Sequence, residues 1–203
     1  MEHDASGVGM VVNIHGNKSH DLVDSALHVL ENMQHRGAEG SDAKTGDGAG
    51  IMLQIPHEFI LLQGIPVPEK GKYGTGLVFL PKDEARQQKV LAAMIEEIER
   101  EGLRLMHLRP VPRDSSCLGQ AALATEPDVK QVFVTGVADE RVQELPRTLY
   151  VIRKRIERRV QDKDFYICSL SNTNIVYKGM LTSSQLRHLR FNQEAVPRSR
   201  NFR

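Results

Sequence analysis

Three stretches of the chain repeat apolar residues at helical spacing, and short apolar runs between them end on proline or glycine. Over residues 82–101, Val90, Leu91, Met94, Ile95 and Ile98 share one face while Glu and Arg fill the other, which predicts a surface helix closed by Gly102. Leu145, Leu149, Ile152, Ile156 and Val160 predict a second helix, with Pro146 tolerated in its first turn. A third is predicted over residues 20–35. Ser19 offers its N-cap, Asp21 suits its positive first turn, Val23, Ala26, Leu27, Leu30 and Met33 follow at helical spacing, and Gly37 is placed to stop it. Residues 8–14, 51–55, 76–80, 105–111 and 131–134 predict strands. The first of these holds the β-branched run Val11, Val12, Ile14 and fits a sheet buried on both faces. Phe165–Leu170 and Ile175–Tyr177 flank the polar link Ser171-Asn172-Thr173-Asn174 and predict a hairpin. Strands with helices between them define an α+β or layered α/β arrangement.

Charge and cysteine usage narrow the function classes. A net charge of +1 over 203 residues supplies no bulk field for nucleic acid or a membrane surface. The third helical segment in chain order does carry Arg153, Lys154, Arg155, Arg158 and Arg159 on its outer face. Acidic residues interleave with them and no aromatic platform accompanies them, so a solvated face is favoured over a nucleic-acid contact. Cys117 and Cys168 lie far apart without a CxxC or Cys/His cluster, which argues against a zinc site and against a disulfide scaffold. The first 20 residues lack the pattern of a signal peptide, and no apolar stretch approaches the roughly 20 residues of a bilayer span. The expected setting is the cytoplasm, without a membrane or nucleic-acid partner and without a bound metal.

Three segments have the residue types of a chemical site. Asp4-Ala5-Ser6-Gly7-Val8-Gly9 places one hydroxyl beside glycines that let backbone and substrate approach closely. Gln34-His35-Arg36-Gly37-Ala38-Glu39-Gly40 follows the first predicted helix, and Lys44-Thr45-Gly46-Asp47-Gly48-Ala49-Gly50 leads into a strand. Each has a plain reading by itself. Ser6 serves as a turn residue, and His35-Arg36 complements a helix dipole. Gly46–Gly50 lacks the Gly-Lys-Ser/Thr ending of a phosphate loop and leads into a strand rather than a helix.

Taken together, in this order and at this spacing, residues 2–55 resemble the start of the class II glutamine amidotransferase domain of glutamate synthase. Glu126-Pro127 with Gln131-Val132-Phe133, then Phe165–Ser171 and Ile175–Leu181, look like later blocks of the same domain, so the resemblance spans about residues 2–187. It implies an α+β fold of the N-terminal-nucleophile hydrolase type, a four-layer αββα sandwich, here incomplete. It implies residues 1–5 as a propeptide-like leader, 6–182 as a partial amidotransferase domain and 183–203 as a divergent polar tail. By the same resemblance Ser6 stands at the nucleophile position, with Gly7 beside it, and Arg36, Gly37, Asp47, Gly48 and Arg190 bind substrate or support the site. The substrate implied is glutamine, hydrolysed to glutamate and ammonia. Partners implied are the remaining domains or the small subunit of glutamate synthase. No cofactor is expected in this chain; FMN and an iron–sulfur cluster belong to downstream domains of the parent enzyme, which use the ammonia to aminate 2-oxoglutarate reductively.

The sequence departs from that family in two ways. Position 6 is Ser where the family has Cys, and a serine hydroxyl is essentially never ionised at neutral pH. A silenced glutaminase, a working serine nucleophile and a decayed paralogue all remain open. The family's Asn-Gly-Glu oxyanion block has no counterpart, since no Asn-Gly pair occurs in the chain, and losing one oxyanion donor typically costs about 10²–10³ in rate. His188, Arg190, Phe191 and Pro197 echo the spacing of the family's Arg-Phe-Ser-Thr clamp, with chance similarity as the alternative. The expectation is an amidotransferase-like chain that is inactive as it stands, and the alternative is a regulatory or partner-binding module that keeps the fold.

Overall fold

A computed structural model describes residues 7–33, 45–46, 48–136 and 138–188. The architecture is α+β, and its described residues fall into two compact units. Residues 52–111 and 127–176 belong to one unit. Its centre is an antiparallel sheet of Gly74–Leu80 (β2), Arg104–Pro110 (β3), Asp128–Thr135 (β4) and Tyr166–Ile167 (β5), in the order β3-β4-β2-β5. The helices Glu84–Arg100 (α3) and Leu145–Arg159 (α5) bury their apolar stripes against it. Asp83 caps α3 by accepting from the Arg86 amide at 2.8 Å, and Gly102 follows the helix with φ +77°. Pro146 lies in the first turn of α5, where no amide donor is needed.

Side-chain alternation in β4 splits this unit's apolar residues between two clusters. Val132 and Val134 join Val78, Leu80, Met94, Ile98, Leu149 and Ile152. Phe133, between them in sequence, instead meets Ile55, Ile60, Ile65 and Tyr73. Leu145, Leu149, Ile152 and Ile156 are fully enclosed, and burial of this kind contributes about 1.5–3 kcal/mol per side chain. The basic face of α5 is occupied by carboxylates. Arg153 and Lys154 both reach Glu157, Arg155 reaches Glu101, and Arg159 reaches Glu96 and Glu97. That is the arrangement of a solvated, ion-paired face.

The other unit takes in residues up to 51, then 112–126 and 177 onward. It holds the helix His20–Asn32 (α1), capped as expected by the Ser19 hydroxyl, which accepts from the Leu22 amide at 3.3 Å. It also holds a single 3-10 turn at Ser115–Cys117, the short helix Gln120–Thr125 (α4) and a second 3-10 turn at Gln185–His188. Leu27, Ile51, Ala122, Tyr177, Leu181 and Leu186 are its buried apolar residues. Ala49–Gln54 (β1) and Asn174–Gly179 (β6) pair as a two-stranded sheet, and the division between units passes within both strands.

Two expectations are corrected. Residues 8–14 form no strand: no chain among the described residues pairs with them, and Val8, Met10, Val12 and Ile14 are 92%, 86%, 68% and 88% exposed rather than buried. The pair around Ser171–Asn174 is not a hairpin, because its two arms join different sheets. The first arm follows β2 instead. The Cys168 amide donates to the Leu77 carbonyl at 2.8 Å, and Thr75 and Ser171 exchange backbone hydrogen bonds of 2.8 and 3.0 Å. Glycine at 76 permits this track, since a Cβ there would sit 1.6 Å from the Ser169 carbonyl oxygen. The short helix His57–Leu62 (α2), which follows Pro56, and α4 have no counterpart in the sequence reading.

Candidate active site

Of the residues assigned to the site from sequence, Gly7 and Gly48 lie within the described residues, whereas Ser6, Arg36, Gly37, Asp47 and Arg190 lie outside them. The flanks of the three segments are nevertheless placed. Gly9, three residues past Ser6 in sequence, sits directly on α1: a Cβ there would lie 2.3 Å from Val29 Cγ1 and 3.5 Å from Met33 Cε. Met33 caps the helix, and the Gln34–Gly40 segment follows it in sequence. Gly9 therefore rests on the end of α1.

The third segment rests on the end of β6 and the chain after it. At Gly46 the loop backbone lies so close to the next chain that a Cβ would be 2.4 Å from the Leu181 carbonyl oxygen and 2.5 Å from the Thr182 nitrogen. Only glycine fits without moving backbone. Gly48 takes φ +139° beside the Gly179 carbonyl. The Thr45 hydroxyl oxygen is enclosed and has no hydrogen-bond partner among the described residues, an uncommon condition for a buried hydroxyl.

The residues that hold this arrangement were not singled out from sequence. Thr182 and Gln185 form a reciprocal capping box: Gln185 Oε1 accepts from the Thr182 backbone amide at 2.9 Å, and the Thr182 hydroxyl accepts from the Gln185 backbone amide at 3.4 Å. The Gln185 side-chain amide also donates to the Cys117 carbonyl at 2.8 Å. Arg187 donates through Nε to Glu31 at 2.5 Å and through Nη1 to Asp24 at 2.9 Å, with its Nη2 also 2.9 Å from His28 Nδ1. The guanidinium holds the Glu31 carboxyl below the usual carboxylate range, and Arg187 is raised in turn, first by its hydrogen bond to Glu31. The signal available in the sequence was Thr182-Ser183-Ser184-Gln185 ahead of Leu186, the pattern of a helix start. It lies across the point where a polar tail was expected.

Among the described residues no group of His, Cys, Asp and Glu could hold a metal ion, and no helix is long and apolar enough to cross a membrane. The described residues form an α+β structure with antiparallel sheets. The family described as class-II glutamine amidotransferases matches residues 6–195, and the chain belongs to it. It is 42% identical over 200 residues to the glutamate synthase [NADH] of Saccharomyces cerevisiae, covering 91% of this chain and 9% of that one. It is 40% identical to the glutamate synthase [NADPH] large chain of Bacillus subtilis and 40% identical to the ferredoxin-dependent glutamate synthase 2, chloroplastic, of Arabidopsis thaliana, over 91% of this chain and 12% of each relative. The chain thus spans about a tenth of the length of these relatives.

Proposed function

We propose that this chain carries the glutaminase site of a glutamate synthase, with Ser6 at the nucleophile position. The observation that carries this reading is the family match, which begins at Ser6 and runs to residue 195. In the reaction the Ser6 Oγ attacks the side-chain amide carbon of glutamine, ammonia leaves, and water hydrolyses the glutamyl ester. Removal of residues 1–5 would free the Ser6 α-amine, whose ordinary pKa of about 8 suits it to take the nucleophile's proton and pass it to the departing ammonia. Arg36 and Asp47 hold the α-carboxylate and α-ammonium ends of the substrate by charge, while Gly7, Gly37 and Gly48 keep the backbone close enough to reach it, and Arg190 adds a second cation. A four-layer αββα sandwich is the frame in which this arrangement would sit.

No cofactor enters this half-reaction; FMN and the iron–sulfur cluster belong to other domains of glutamate synthase. The proposed partners are those domains or the small subunit, and the proposed compartment is the cytoplasm, although relatives include chloroplastic enzymes. Because a thiol is a few per cent thiolate at neutral pH and a serine hydroxyl is not, turnover by the Ser6 form is slow and restoring Cys accelerates it. The test combines mass spectrometry of the N-terminus with ammonia release from L-glutamine by the chain and by Ser6→Cys. Loss of Met1–Ala5 and a gain of about 10² or more in Ser6→Cys are expected. Glutamine binding without turnover in either form would instead favour the non-catalytic module, which the serine at position 6 makes the second reading. Neither binding nor turnover in either form would remove the glutamine site altogether.

A further inference from the structure

We propose that the turn Leu181–His188 is the positioning element of the candidate site, with Gln185 and Arg187 as its two positioning residues. Three sequence-distant parts of one unit converge on this turn. The loop at Gly46 lies on the peptide joining Leu181 to Thr182 at a distance that excludes a Cβ. The Gln185 side chain, buried to 7% exposure, fixes that peptide from behind: one end accepts from the Thr182 amide and the other donates to the Cys117 carbonyl. Two residues on, Arg187 grips α1 through Asp24 and Glu31. Those acids lie seven positions apart, two helical turns, on one face of α1. The same helix carries Val29 and Met33, on which Gly9 rests.

The placement of the Gly46 loop relative to α1, and through α1 of the Gly7–Gly9 flank, therefore passes through a turn of eight residues. Arg187 suits this role because its planar fork presents donors in fixed directions to two carboxylates, whereas a lysine offers a point charge on a flexible stem. Its side chain and that of Glu31 are 30% and 27% exposed, so both are partly shielded from solvent and screened less than a surface pair. Gln185 suits it because one amide group both accepts and donates, tying two chain segments to a third point.

The functional weight of this inference rests on the glutaminase reading; the clamp itself does not. The test uses the full chain with Gln185→Leu, Gln185→Glu, Arg187→Ala and Arg187→Lys, read by amide hydrogen exchange and by L-glutamine affinity. Gln185→Leu should speed exchange at Gly46 and at Gly48–Gly50 about tenfold or more, and Arg187→Ala should do the same in the last turn of α1. Exchange in α3 and α5 should stay unchanged in both. Gln185→Glu keeps the acceptor for Thr182 and loses the donor to Cys117, so it should fall between the parent and Gln185→Leu. Arg187→Lys should likewise recover only part of the protection. In the Ser6→Cys background both severe variants should raise the glutamine KM about tenfold with kcat within threefold. Unchanged exchange at the loop and α1, or faster exchange spread evenly over α3 and α5, overturns the proposal. If the parent chain binds no glutamine, the glutaminase reading fails, while the exchange pattern still decides whether the turn sets the loop.

Discussion

Tyr73 belongs to an apolar cluster with Ile55, Ile60, Ile65 and Phe133, and its hydroxyl lies 3.1 Å from His57 Nδ1. Burial, with a smaller contribution from the nearby Glu58 carboxylate, pushes its pKa up to about 12. Because the folded value lies above the unfolded value near 10, the contribution to stability is fully present below pH 10 and is lost as pH rises towards 12. A shift of this size corresponds to about 2–3 kcal/mol. Chemical denaturation of Tyr73→Phe should therefore show a much flatter decline between pH 10 and 12 than the parent chain. An equally steep decline in the variant would assign alkaline instability to other groups. Ser6 differs in kind from Tyr73, because its importance comes from resemblance alone. At the proposed nucleophile position a hydroxyl in place of a thiol lowers intrinsic nucleophilicity, a chemical consequence of residue type.

At the scale of elements, the helices with long apolar stripes were the most legible from sequence. The span 82–101 became α3, and Leu145 onward became α5 with its proline where expected. Periodicity works there because four or five apolar residues on one face leave a single way to bury them. Leu149 illustrates the result: it is fully enclosed, and Gly74 of β2 lies so near that a Cβ there would be 2.5 Å from Leu149 Cδ2. Leu149→Ala should cost about 2–5 kcal/mol in a denaturation experiment, since the rigid sheet cannot close over the space. A loss under 1 kcal/mol would mean that α5 is free to shift. The helices α2 and α4 were not legible because six residues hold too little pattern to count. Strand identity was legible in β2 and β4, but pairing was not: Phe165–Leu170 reads well as a strand, yet its partner is β2 rather than its sequence neighbour. The site divides in the same way. Ser6, Arg36 and Asp47 were singled out from their motifs and lie outside the described residues, whereas the proposed positioning residues Gln185 and Arg187 make contacts 68 to 163 residues away in sequence, which no local pattern carries.

For the molecule as a whole, the exposed apolar surface at the start of the described chain is the dominant physical liability. Val8, Met10, Val12 and Ile14 alternate along an unpaired stretch, and Met52 and Met180 are 67% and 61% exposed. Large uncovered apolar residues beside unpaired backbone invite association with another chain. Net charge does little to oppose it, since +1 at pH 7 and an isoelectric point near 7.9 leave almost no mutual repulsion. Sedimentation velocity should show concentration-dependent association at pH 7.5. Replacing Val8, Met10 and Val12 with Thr, Lys and Thr should remove most of it at pH 7.5 while leaving far-ultraviolet circular dichroism unchanged. A single monomeric species at every concentration at pH 7.5 would show that this surface is covered in solution, and would count against association by exposed chain.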